Sequence, residues 1–176
     1  MVHANWGPQE GEDAIRLIEA LSAEHIVDVA RVGVFGPSYG GFMTNWMITE
    51  YPSQIRRAVA LSTVSHLLTS AFGIDHWESL ATDQGGWPWE RPQYYQTHSP
   101  VMKAQNVEAP LLLLHGEDDM TCPLIEAEMM FVALRWQRKA VEMVRYPGES
   151  HSFHRAGRLA TLVDVHNRML SWFAAL

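Results

Sequence analysis

Residues 32–44 read VGVFGPSYGGFMT. Arg31 to Phe35 is short, apolar and rich in β-branched residues, which predicts a buried strand. The run breaks at Gly36. A helix is predicted from about Tyr39 to Thr49, stopping before Pro52, because a proline disfavours helix in the residue ahead of it. Ser38 stands at the junction, with Gly36 and Gly40 two residues to either side. A serine between a strand and a helix in G-x-S-x-G occupies a strained turn that lifts its hydroxyl clear of the sheet. Side chains at the two flanking positions would collide there, which accounts for Gly36 and Gly40. The first amides of the helix would face any negative charge that develops beside that hydroxyl.

Outward from this turn the chain alternates strands and helices. Arg57 to Leu61 (RAVAL), Pro110 to His115 (PLLLLH) and Val141 to Tyr146 (VEMVRY) predict three further strands. Residues 10–25 predict a helix on the spacing of Ala14, Leu17, Ile18 and Leu21, with Glu12 and Asp13 suiting its first turn. Leu124 to Arg138 predicts a helix with Ile125, Met129, Val132 and Trp136 on one face. Residues 157–174 predict a last helix, with Leu159, Leu162, Val163, His166, Leu170 and Phe173 in register. Residues 62–109 are mixed and hold the turn-rich block GGWPWERPQYY. The alternation gives the α/β class: a mostly parallel sheet with helices on both faces.

In such sheets ligands lie beyond the carboxyl ends of the strands. Gly36-Pro37-Ser38 follows the first strand, His115-Gly116-Glu117-Asp118-Asp119 the third, and Pro147-Gly148-Glu149-Ser150-His151 the fourth. Serine, acid and histidine come in the chain order that α/β-hydrolases use. A serine hydroxyl needs a base to take its proton. His151 is the expected base, and Asp119 the acid that sets its tautomer, with Asp118 the alternate. His154 reads as a surface residue and His115 as a packed strand end. The acids beside His115 have poor spacing for a metal. Cys122 reads as a small buried filler. Trp87, Trp89, Tyr94 and Tyr95 read as packing more than as a pocket wall. No metal and no organic cofactor is expected.

The bulk composition narrows the partners. The 176 residues fit one domain, and a formal charge of -7 argues against nucleic acid and anionic membranes. Cys122, the single cysteine, excludes an intramolecular disulfide and suits a reducing, cytoplasmic setting. No apolar run reaches the roughly 18 residues of a membrane span. The N-terminal stretch has neither a basic start nor an apolar leader core.

Longer motifs resemble the prolyl oligopeptidase family of serine peptidases, most closely its acylaminoacyl-peptidase branch. NWGPQEGEDAI resembles a WGG-x-D-x-x-D helix start, and RVGVFGPSYGGFMTNWMIT a nucleophile region with S-Y-G-G. GGWPWERPQYYQTHSPV resembles a GG-x-PWE-x-P-x-x-Y-x-x-x-SP stretch. PLLLLHGEDDMTCP resembles the acid loop, and YPGESHSF the histidine loop. The resemblance implies Ser38 as nucleophile, Asp119 as acid, His151 as base, and the Tyr39 amide as an oxyanion donor. The family often has an arginine two residues after the acid, where this chain has Thr121.

The resemblance also implies hydrolysis of a peptide or acyl-peptide substrate through an acyl-enzyme. A small-substrate esterase or amidase is one alternative. A non-catalytic fragment that assembles through its edge is another. The family's catalytic domain has further strands upstream, bearing a tyrosine that is the second oxyanion donor, and a gating β-propeller beyond them. By this resemblance the chain is the C-terminal portion of the α/β-hydrolase domain. The strand Arg31 to Phe35 is then a largely apolar edge that invites pairing, so a homo-oligomer is expected.

Overall fold

The computed structural model describes residues 4–73 and 77–176. Residues 1–3, part of the N-terminal stretch read above, lie outside that range. The strands are β1 (Gly33–Pro37), β2 (Arg57–Leu61), β3 (Leu111–Gly116) and β4 (Val141–Tyr146). They form one sheet in the order β1-β2-β3-β4, parallel throughout. The helices in chain order are α1 (Pro8–Ala23), α2 (Tyr39–Glu50), α3 (Leu67–Ser70), α4 (Trp77–Asp83), α5 (Pro92–Thr97), α6 (Ile125–Trp136), α7 (Phe153–Ala156) and α8 (Leu159–Phe173).

Alternation along the strands builds two apolar layers. Ala58, Ala60, Leu111 and Leu113 point to one face and meet Ile15 of α1, Met47 and Ile48 of α2, and Met130 and Leu134 of α6. Val59, Leu61, Leu112 and Leu114 point to the other and meet Phe153 of α7 and Val165 of α8. A third cluster, including Phe42, Trp46, Leu67, Tyr95 and Cys122, links α2, α3, α5 and the loop after β3. α2 is buried almost all round, from Phe42 to Thr49 save Met43. It is the most enclosed helix, as its apolar sequence requires.

Several boundaries differ from the sequence expectations. The first strand begins at Gly33, because the Asp28 side chain caps a 3-10 turn over Val29–Arg31, accepting from the Ala30 amide at 2.9 Å. Arg31 is spent in that turn. At the other end Gly36 and Pro37 stay in the ladder opposite Ala60 and Leu61. The last helix, expected over 157–174, runs from Leu159 to Phe173, and a short turn of helix, α7, precedes it, separated by an extended Gly157.

The predicted helix faces also shift. On α6 the buried residues are Glu126, Ala127, Met130 and Leu134, while Ile125, Val132 and Trp136 are exposed. On α8 the buried residues are Thr161 and Val165, while Leu159, Val163 and Leu170 are exposed. On α1 Leu17 is exposed and Ile15 is buried. Apolar spacing admits several faces on such helices. The face chosen puts a small residue against the sheet (Ala127), or a polar one that finds a buried partner (Thr161, Glu126).

Candidate active site

Ser38 sits between β1 and α2 with φ 59° and ψ -121°, a conformation that non-glycine residues rarely adopt. Its amide donates to the Leu61 carbonyl at 3.0 Å, and its carbonyl accepts from the Phe42 amide at 3.0 Å. Those bonds lock the turn to the end of β2 and to the first turn of α2. A Cβ on Gly36 would lie 2.5 Å from the carbonyl carbon and oxygen of Gly40. Gly40 itself has room: its Cβ would meet Pro37 Cδ at 3.4 Å. The second enforced glycine is Gly41, whose Cβ would lie 2.8 Å from the Leu61 carbonyl oxygen. The expected collision is therefore found at Gly36 and displaced from Gly40 to Gly41, because α2 crosses the end of β2 one residue later.

Tyr39 opens α2, so its amide is among those with no acceptor inside the helix. Its hydroxyl donates to Glu10 of α1. Burial, then that bond and the Glu10 charge, push the Tyr39 phenol well above its ordinary range.

Asp119 and His151 meet behind this turn. His151 Nδ1 lies 2.9 Å and 3.1 Å from the two carboxylate oxygens of Asp119. Asp119 is buried, and its Oδ1 also accepts from the amides of Thr121 at 3.0 Å and Cys122 at 2.8 Å. Burial alone would raise the Asp119 carboxyl. The hydrogen bonds from His115, His151 and the Cys122 amide outweigh it and hold the group far below the usual carboxylate range. An ionised Asp119 fixes the proton on Nδ1 and leaves Nε2 with its lone pair. Asp118 points elsewhere: it is exposed, and its amide donates to the Glu149 carbonyl at 2.9 Å.

Ser38 and His151 face one cavity of about 310 Å³, whose walls include Trp6, Tyr39, Val64 and Cys122. Burial, then the charges of Asp119 and Glu126, push the Cys122 thiol up to about 12, so it stays protonated. The aromatic block lies apart: Trp89 and Tyr95 line a separate groove, and Tyr94 is buried. A larger apolar groove of about 770 Å³ runs beside α6 and β4, and it includes none of Ser38, Asp119 and His151. Among the described residues no group of three or more metal-ligating side chains converges.

Four supporting residues escaped the sequence reading of roles. His115 is more than a packed strand end: its Nε2 donates to the Cys122 carbonyl at 2.8 Å and lies 3.4 Å from Asp119 Oδ2. Glu149 is buried and anchors the loop of His151 to α8, accepting from Thr161 Oγ1 at 2.6 Å and from Arg158 Nε at 2.9 Å. Glu126 is fully buried, and its Oε2 accepts from the amides of Ser65 at 2.9 Å and His66 at 2.8 Å. Ser62 donates from its hydroxyl to the His151 carbonyl at 2.8 Å. The signal available for Glu149 was its place two residues before His151. For Ser62 and Glu126 the partners lie 89 and about 60 residues away, and no local pattern marks them.

All 176 residues match the prolyl oligopeptidase family. The chain belongs to that family. It is 35% identical over 178 residues to the Bacillus subtilis peptidase YuxL, covering 98% of this chain and 26% of that protein. It is 26% identical over 156 residues to the human acylamino-acid-releasing enzyme, covering 84% of this chain and 21% of that protein. Among solved structures, the Pyrococcus horikoshii acylaminoacyl peptidase superposes with a TM-score of 0.92 at 28% identity, over 98% of this chain and 28% of that one. A Mycobacterium tuberculosis puromycin-hydrolyzing peptidase superposes with a TM-score of 0.89 at 29% identity, over 99% of this chain and 26% of that one. The family chain described here thus spans about a quarter of the length of these relatives, and its fold is that of the acylaminoacyl peptidases.

Proposed function

We propose that Ser38, His151 and Asp119 act as the nucleophile, base and acid of a serine peptidase on peptide or acyl-peptide substrates. The observation that carries the reading is the pairing of His151 Nδ1 with buried Asp119, while His151 and a strained Ser38 line the same cavity. Ser38 Oγ attacks the scissile carbonyl and its proton passes to His151 Nε2. The Tyr39 amide donates to the developing oxyanion. His151 then gives the proton to the leaving amine, and water attacks the acyl-enzyme by the same route in reverse. Asp119 holds the ring and balances its charge once protonated.

On this reading the chain is the C-terminal portion of an α/β-hydrolase domain, with a second oxyanion donor supplied upstream. One such donor is worth about 10²–10³ in rate. Relative turnover of an N-acylated amino-acid anilide, a dipeptidyl anilide and a nitrophenyl ester tests the substrate class. Preference for the acylated anilide is expected. Turnover of the ester alone would favour a small-substrate esterase.

A further inference from the structure

We propose that Ser62 is a positioning residue for His151, so that the loop after β2 aims the base. The inference rests on the reading of His151 as base. Ser62 is fully buried, one residue beyond β2, and holds φ at 40°. Side chains rarely tolerate that region, and a residue kept there is over-determined by its surroundings. The surroundings are visible. The Ser62 amide donates to the Leu114 carbonyl at 3.1 Å, tying it to β3. On the other side Gly41 of α2 packs so closely that a Cβ would lie 2.8 Å from the Leu61 carbonyl and 2.9 Å from Thr63 Cα. The chain is pinched at residues 61–63, and the pinch turns the Ser62 hydroxyl onto the carbonyl of His151.

His151 therefore has two fixed points, its ring at Asp119 and its main chain at Ser62. Glu149 ties the entry of the loop to α8 but leaves the His151 carbonyl to Ser62. A ring held at Nδ1 alone can pivot, and Nε2 then swings relative to Ser38. Misplacement of a reacting group by about 1 Å costs up to about a hundredfold in rate.

The test compares the wild-type chain with Ser62→Ala and Ser62→Gly. Both lose the hydroxyl, and the glycine variant also relieves the backbone, so a fold loss in the first does not silence the second. Two readouts are taken on folded protein: the rate at which a fluorophosphonate modifies Ser38, and the NMR resonances of the His151 ring, Nδ1–H included. The expected result is a fall in rate of about tenfold to a hundredfold in both variants, an unchanged concentration dependence, and displaced ring resonances. Wild-type rates with unmoved resonances overturn the proposal. If the wild-type chain itself does not react, the reading of Ser38 fails. The ring resonances then decide alone: displaced in the variants they support positioning by Ser62, and unmoved they overturn it.

Discussion

Glu126 is the residue whose charge fits its surroundings worst. It is fully buried, its Oε1 has no partner, and its Oε2 takes two amides. Burial pushes its carboxyl from 4.5 up to about 7, against the pull of the Ser65 and His66 bonds. The unfolded chain gives up this proton near 4.5 while the folded chain keeps it to about 7. Stability is then full below 4.5 and falls as the pH rises to about 7. At 1.36 kcal/mol per unit the loss approaches about 3 kcal/mol. Glu126→Gln keeps the shape without the charge. Urea unfolding is expected to give similar stabilities for the two proteins at pH 5 and a more stable variant at pH 8. An equal difference at both pH values would contradict this. Gly36→Ala is the second residue-scale prediction: with Gly40 atoms 2.5 Å from the new methyl, it costs about 1–3 kcal/mol or more in the same assay. The placing of Ser38, Asp119 and His151 just beyond strand ends was legible, because a parallel sheet gathers the loops that follow its strands at one edge. Glu126 and Ser62 were not, because their partners are near only after the sheet has closed.

Elements were legible in kind and less so in orientation. The strands are short and rich in apolar residues, with Glu142 and Arg145 as outward-facing exceptions in β4, so composition and length identify each one. The faces of α6 and α8 were not legible, since Ile125, Val132, Leu159 and Leu170 keep helical spacing yet point outward. The face of α8 that meets the sheet carries Val165, Met169 and Phe173 together with Thr161, whose hydroxyl meets Glu149 at 2.6 Å. Thr161→Val keeps the volume and removes that bond. The histidine loop then loses one of its anchors on α8, and thermal unfolding is expected to show a loss of about 1 kcal/mol. A variant as stable as the wild type would mean that Arg158 alone secures Glu149.

At the scale of the whole molecule, the sheet formed by the described residues has two open edges, β1 and β4. β1 presents Phe35, 60% exposed, and no charged side chain. We propose that this edge pairs with that of a second copy of the chain. Sedimentation is expected to show association that Phe35→Lys weakens, because a charge on an edge opposes pairing. A monodisperse wild-type monomer would contradict it. Among the described residues no helix is long and apolar enough to cross a membrane. Whether further strands continue the sheet beyond β1 was open to resemblance alone, since nothing within β1 specifies its neighbour.

The most direct test of the assembled site is intact-mass analysis after treatment with a fluorophosphonate, on the wild type, Ser38→Ala and His151→Gln. The account predicts one adduct on the wild type, none on Ser38→Ala, and a strongly slowed reaction in His151→Gln. A folded wild type that takes up no probe, or one labelled equally in Ser38→Ala, would contradict it.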